Sequence, residues 1–401
     1  MLGAQKVEWA SKHMMVLSRI RRRFAKEKPF DGLNISVCMH LEAKTAVLIK
    51  TLAEGGAKIY ACACNPLTAD DDVCDFLMEE GFKIFARRGE SEKKYWQSIE
   101  RVINAKPDII IDDGADTLCL AHEKFENLLK NVLGANEETT TGVMRLRKLE
   151  RENKLKIPVF AVNDAYTKFL FDNRYGTGQS TIDGLISATN LLIAGKCVVV
   201  AGYGWCGRGI ALRLKGMGAR VIITEVDEIK ALEALMEGFD VMPMDEACKH
   251  ADIIITATGC TDVVRREHFL NMKDGCILAN AGHFNVEINI DDLESLAKKK
   301  RRIRKYVDEY VLKNGRRVYL LGEGRLVNLV CGQGHPCEVM DLSFSLQALC
   351  AEYIAKNHEK LENKVYKVPN QIDKKVASLM LKVMNVKIDK LNKEQKEYLG
   401  K

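Results

Sequence analysis

Apolar residues in this chain gather in short unbroken runs. Ile35 to Cys38, Lys58 to Cys62, Lys83 to Ala86, Ile109 to Asp112 and Pro158 to Val162 each read as a strand. Continuous apolar character suits parallel strands covered on both faces. Ala43 to Leu52 instead carries helical periodicity and stops at Gly55-Gly56. A second set of strands follows at Cys197 to Ala201, Val221 to Thr224, Ile253 to Ile255, Cys276 to Leu278 and Val318 to Leu321. Beyond His335 the pattern turns helical and lysine-rich, and no repeat is evident. The expected fold class is α/β, with two parallel-sheet units and a small C-terminal helical extension.

Lys196 to Glu225 is the most specific stretch. A strand runs into Gly202-Tyr203-Gly204-Trp205-Cys206-Gly207-Arg208-Gly209, then a helix, then a second strand ending at Glu225. The glycines let backbone approach a pyrophosphate, whose charge sits at a helix N-terminus. Glu225 lies 18 residues after Gly207, where an acid holds both ribose hydroxyls. A carboxylate there repels a 2′-phosphate, so NAD is favoured over NADP. This makes the second unit Rossmann-like. With a cofactor in one unit, a substrate is expected in the cleft between the two.

Bulk properties narrow the class. With 401 residues, 47% hydrophobic and 29% charged, the chain reads as an ordinary multidomain enzyme. The net charge of +6 is spread along it. The densest basic runs, Arg19 to Arg23 and Lys298 to Lys305, read as solvated helix faces or subunit contacts, since no aromatic platform for nucleic acid accompanies them. Thirteen cysteines without a CxxC pair read as reduced thiols of a cytoplasmic protein, Cys62, Cys64 and Cys197 among them. No signal peptide and no apolar run of 18 residues is seen, so neither export nor membrane insertion is expected.

Several polar groups fall where strands should end, which is where α/β sheets place their sites. They are His40, Asp112-Asp113-Gly114, Asn163-Asp164, and Asn280-Ala281-Gly282-His283. Lys168 and Asp172 follow at a spacing of four, which by itself suits a helical i,i+4 pair. Asp112 and Asp113 also suit a turn, Glu137 to Gly142 a capped helix start, and His40, His283 and His335 satisfied core histidines. Cys331 and Cys337 lack a partner pair, and no metal site is expected.

Taken together, these motifs resemble the S-adenosylhomocysteine hydrolase family over nearly the whole chain. The match includes His40, Asp112 to Gly114, Glu137 to Gly142, Val162 to Asp164, Thr167-Lys168 and Phe171 to Asn173. It continues through Ala201 to Gly209, Ile222 to Glu225, Met244 to Cys248, Thr258 to Cys260, Gly282 to Phe284, Glu323 to Asn328 and Gly334 to Pro336. The resemblance implies a hydrolase that uses NAD+ without consuming it. Oxidising the ribose 3′-hydroxyl to a ketone makes the C4′ proton acidic. Its removal expels homocysteine, water adds, and the ketone is reduced again. In this picture Lys168 takes the 3′-hydroxyl proton, its pKa lowered by burial and tuned by Asp172. Glu138 binds the ribose hydroxyls. Asp113 and His40 share proton handling at C4′ and at the leaving group. His283 and His335 line the substrate pocket, with His283 counted among the catalytic residues. Thr139, Thr140, Thr141, Asn173, Glu225, Thr258, Ala281, Gly282, His283 and Asn328 join Gly202 to Gly207 around one tightly bound NAD+. The implied division is a substrate-binding unit at 1–178 completed by 337–368, an NAD-binding unit at 179–336, and an oligomerisation segment at 369–401. Members of the family form tetramers, so a homotetramer with no nucleic-acid or membrane partner is expected.

Three departures from the family pattern matter. His-x-Thr-x-Glu (or Gln) is here His40-Leu41-Glu42-Ala43-Lys44. The variable positions face the purine. Adenine offers a donor at C6 and an acceptor at N1, and hypoxanthine reverses both. Glu42 only accepts and Lys44 only donates, so the pair fits hypoxanthine. This resembles the S-inosylhomocysteine hydrolase branch of methanogenic archaea, with adenosylhomocysteine as the alternative substrate. A plainer reading makes Glu42 and Lys44 first-turn residues pointing to water. Second, the tail of longer members is missing after Lys401, so weaker cofactor retention is expected. Third, Thr177 replaces a cysteine and Lys230 an asparagine near the cofactor. Two other classes compete: a 2-hydroxyacid dehydrogenase, which would release NADH, and a regulatory homologue, which would have lost Lys168, Asp172 or His40.

Overall fold

The computed structural model describes residues 2–400. Two sheets organise it. The first contains β1 (Asn34–Met39), β2 (Lys58–Ala63), β3 (Lys83–Phe85), β4 (Ile109–Asp112), β5 (Gly134–Glu137) and β6 (Val159–Ala161). The second contains β7 (Cys197–Ala201), β8 (Arg220–Thr224), β9 (Asp240–Val241), β10 (Ile253–Thr256), β11 (Cys276–Asn280), β12 (Ala297–Arg304), β13 (Val307–Leu312) and β14 (Arg317–Leu321). A final strand, β15 (Val365–Lys367), returns to the first sheet beside β6.

The first sheet runs β15-β6-β5-β4-β1-β2-β3 and is parallel throughout. Its strand order reverses between β1 and β4. The second runs β12-β13-β14-β11-β10-β7-β8-β9 and reverses between β7 and β10. Crevices open beyond the carboxyl ends of strands at such reversals. His40 and Asp113 stand at the first, and Gly202 and Thr258 at the second. Ile35, Val37, Ile109 and Ile111 face one core and Val198, Val200, Ile253 and Ile255 another, all fully buried.

Two local expectations change. β5 is Gly-Ala-Asn-Glu, with no apolar run to announce it, yet it is buried between β4 and β6. Glu137 therefore ends a strand, and the helix begins only at Thr140, with Thr139 as N-cap. Lys298 to Lys305 is not helical. It supplies most of the exposed edge strand β12, antiparallel to β13, where Arg301 lies opposite Glu309 and Arg302 opposite Asp308. Cross-strand charge pairing and edge exposure outweigh the helical preference of lysine and arginine. The second sheet is thus parallel with an antiparallel margin. Helix Asn370–Val383 packs against helices Met15–Glu27, Tyr166–Phe169 and Cys337–Asn357. All thirteen thiols are free. Among the described residues, no helix is long and apolar enough to cross a membrane.

Candidate active site

The strand ends of both sheets meet around a cavity of about 940 Å³. Its wall includes His40, Glu42, Lys44, Asp113, Glu138, Lys168, Asp172, His283 and His335. From the expected cofactor set it adds Thr139 to Thr141, Asn173, Tyr203 to Cys206, Thr258, Ala281, Gly282 and Asn328. Gly202, Gly207 and Glu225 shape the turn beneath.

Lys168 is the electrostatic centre. It is 3% exposed, and Asp172 5%, so the i,i+4 pair suggested by their spacing forms but is buried in the site. Its Nζ lies 3.0 Å from Asp172 Oδ1 and 3.9 Å from Glu138 Oε1, and donates to Asn173 Oδ1 at 2.9 Å and Asn163 Oδ1 at 3.3 Å. A π-turn over Asp172–Gly176 brings both Asp172 and Asn173 onto the same ammonium. Single π-turns of this kind are frequent at functional sites. The expectation that burial lowers the Lys168 pKa is overturned. Burial does pull it down, but Asp172 and Glu138 outweigh that, and the ammonium is held above its ordinary value. Burial likewise pushes Asp172 up, and Lys168 and His335 overcome it, holding the carboxylate well below its ordinary range. His335 Nδ1 lies 3.0 Å from Asp172 Oδ2, and its Nε2 3.2 Å from Thr177 Oγ1. Glu138 is driven the other way. Burial pushes it up to about 7 despite Lys168. Ser343 and Gln347 of the long helix Cys337–Asn357 donate to its two oxygens.

The opposite wall carries a histidine pair around a carboxylate. Asp113 lies 3.6 Å from His40 Nε2 and 3.7 Å from His283 Nδ1. Its neighbour Asp112 is fully buried and accepts from the Asp113 and Leu118 amides, which fixes the turn. Gly114 has φ +98°, and a Cβ there would stand 2.3 Å from His283 Nε2. Glycine is therefore what lets the two units approach at this point. Burial lowers the His40 pKa to about 4, against the pull of Asp113.

At the base of helix Ala43–Glu54, Glu42 caps the helix by accepting from the Lys44 amide at 3.1 Å. Lys44 Nζ lies 2.8 Å from Glu42 Oε2 and donates to the Gln333 carbonyl at 3.2 Å. Both side chains face the cavity, with 9% of Lys44 and 16% of Glu42 exposed, so neither points into bulk water.

The glycine turn fits NAD+. Gly202 has φ +95°, and a Cβ at Gly204 would meet nothing within 4 Å, which leaves open space above the turn. Helix Trp205–Gly216 starts there with no side-chain cap, so its first amides are free for an anionic pyrophosphate. A Cβ at Gly207 would lie 1.9 Å from the Gly202 carbonyl, which explains the tight return. Glu225 accepts from the Tyr203 amide at 2.7 Å and the Val226 amide at 2.8 Å, with lone pairs left for hydroxyls. The Asn328 Oδ1 is buried with no protein partner.

Two supporting residues were not visible in the motifs. Asp373 accepts from the Tyr166 and Thr167 amides at 2.8 and 2.9 Å and from the Thr167 hydroxyl, so it caps the short helix that carries Lys168. Glu287 accepts from the Thr258 and Gly259 amides and the Thr258 hydroxyl, bracing the cofactor side. Both contacts are long-range in sequence, and no local spacing signals them.

Comparison with known proteins agrees with this architecture. The family model for S-adenosyl-L-homocysteine hydrolase matches residues 1–124, and that for its NAD-binding domain matches residues 173–334. An adenosylhomocysteinase of Archaeoglobus fulgidus is 59% identical over 100% of this chain and 98% of its own. An S-inosyl-L-homocysteine hydrolase of Methanocaldococcus jannaschii is also 59% identical, over 99% of this chain and 95% of its own. A dipicolinate synthase from Bacillus halodurans shares the fold, with a TM-score of 0.52 at 14% identity over 82% of this chain and 99% of that one. On these full-length matches, and with a cradle built for NAD+ as cofactor, the chain belongs to the S-adenosyl-L-homocysteine hydrolase family of NAD-dependent thioether hydrolases.

Proposed function

We propose that this enzyme hydrolyses S-inosyl-L-homocysteine to inosine and L-homocysteine through a transient 3′-keto intermediate. Adenosylhomocysteine hydrolysis is the second reading, favoured by relatives of equal identity that carry that name. The observation that carries the first is the Glu42–Lys44 pair in the cavity wall. An acceptor and a donor stand side by side there. With Glu42 set against N1 and Lys44 against position 6, hypoxanthine (N1–H donor, O6 acceptor) matches the pair, whereas adenine (N1 acceptor, N6 donor) meets each with the wrong partner.

NAD+, when bound, would supply a hydride acceptor for C3′. Lys168, in its neutral form, takes the 3′-hydroxyl proton, held in place by Asp172, which His335 in turn braces. Glu138, titrating near neutrality, accepts from the ribose hydroxyls when ionised. His40 and Asp113 move protons at C4′ and at the leaving sulfur. His283 closes that side against water. In this reading residues 1–178 with 337–368 bind substrate, 179–336 bind NAD+, and 369–401 serve assembly into a cytoplasmic tetramer with one NAD+ per subunit.

The test incubates the pure protein with S-inosyl- and S-adenosylhomocysteine separately and measures free thiol. Faster release from the inosyl compound is expected. Equal or faster release from the adenosyl compound overturns the base assignment.

A further inference from the structure

The proton on His40 has two places to sit, and the residues behind the ring choose between them. His40 Nδ1 is 2.8 Å from Thr68 Oγ1. Thr68 Oγ1 in turn donates to the Asn65 carbonyl at 3.1 Å. The Cys64 sulfur lies 3.3 Å from the same ring nitrogen. On the other side, Nε2 faces Asp113 Oδ2 at 3.6 Å, outside hydrogen-bond range. A neutral imidazole carries one proton. Placed on Nε2, that proton finds no protein acceptor within range, and the Thr68 hydroxyl and Cys64 thiol compete for one lone pair on Nδ1. Placed on Nδ1, it is accepted by Thr68, whose own proton goes to Asn65. The ring proton and the Thr68 proton then each have an acceptor, and the Cys64 sulfur is a weak second acceptor for Nδ1–H. The Asn65 side chain holds the turn by accepting from the Leu67 amide at 3.0 Å.

We infer that Thr68 is a positioning residue that fixes His40 as the Nδ1–H tautomer and leaves a bare Nε2 in the cavity as proton acceptor. The inference rests on the proposed role of His40 in proton handling. A proton leaving the substrate forms its new bond to Nε2 with that nitrogen's lone pair. The bonding electrons stay on the substrate, Nδ1–H stays on Thr68, and the imidazolium faces Asp113. Thr68 itself is not part of the cavity wall.

The test uses full-length enzyme with NAD bound and isotope-labelled histidine nitrogens. His40→Asn identifies the His40 signal among the eight histidines. In wild type, nitrogen NMR is expected to show a protonated Nδ1. Thr68→Val should move the proton to Nε2 and slow thiol release about 10²-fold, while enzyme-bound NADH still forms. Thr68→Ser, which restores the hydroxyl, should recover both. A wild-type Nε2–H signal overturns the inference, and so does wild-type thiol release by Thr68→Val. Should Thr68→Val fail to fold, the wild-type spectrum and the recovery in Thr68→Ser decide the matter. Normal thiol release by His40→Asn overturns the role of His40 rather than the tautomer.

Discussion

Asp172→Asn removes one charge from the centre of the site and changes little volume. Its carboxylate lies 3.0 Å from both Lys168 Nζ and His335 Nδ1. At an effective dielectric constant of about 20, the attraction to the ammonium is about 5.5 kcal/mol. Glu138, at 3.9 Å, keeps a further attraction of about 4 kcal/mol on the same scale. The ammonium is therefore weakened and not orphaned. A stability loss of about 3 kcal/mol is expected, the low end for breaking a buried pair. The catalytic loss should be larger, because Lys168 and His335 both lose their anchor. Formation of enzyme-bound NADH in a single turnover should slow by about 10²- to 10⁴-fold, with NAD still bound. Lys168→Met should lose as much, and the double variant little more, since the two act as a unit. The assay is stopped-flow absorbance of bound NADH after mixing with substrate. Wild-type formation of that species in Asp172→Asn would show that the pair has no part in the first oxidation.

Exchanging the base-facing pair, Glu42→Thr with Lys44→Glu, should shift preference toward the adenosyl substrate, read as the ratio of kcat/KM values from thiol release; an unchanged ratio means these residues do not read the base. His40 is held neutral by burial down to about 4, whereas its unfolded value is near 6.5. Between those values the unfolded chain binds the extra proton, so acidification from pH 6.5 to 4 should cost wild type about 3 kcal/mol relative to His40→Asn. Urea midpoints of the two proteins at both pH values check this, and parallel changes refute it. Asp373→Ala uncaps the helix that carries Lys168 and should cost about 1–3 kcal/mol. It should also slow bound-NADH formation, whereas a purely thermal effect with normal oxidation would make the cap irrelevant to Lys168. Turnover with the preferred substrate should leave no net NADH in solution, and stoichiometric release would indicate a dehydrogenase instead.

Much of this protein is legible without coordinates. Unbroken apolar runs mark parallel strands because burial on both faces leaves no room for alternation. The Gly202 to Glu225 unit announces its ligand because phosphate binding needs particular backbone freedom at fixed spacing. β5 is silent because Gly134, Ala135 and Asn136 are buried by their neighbours and not by their own apolarity. β12 is misleading because its lysines and arginines answer acids on β13, which only the hairpin brings opposite. The motif residues of the site could be named in advance, but not their electrostatics. Burial alone predicts a lowered Lys168, and the sign reverses once folding sets Asp172 and Glu138 beside it. The capping of that segment by Asp373, 206 positions from Thr167, has no trace in local sequence. Local periodicity and turn chemistry are written residue by residue. Charge balance and support depend on distances between distant segments, and those exist only after the chain has folded.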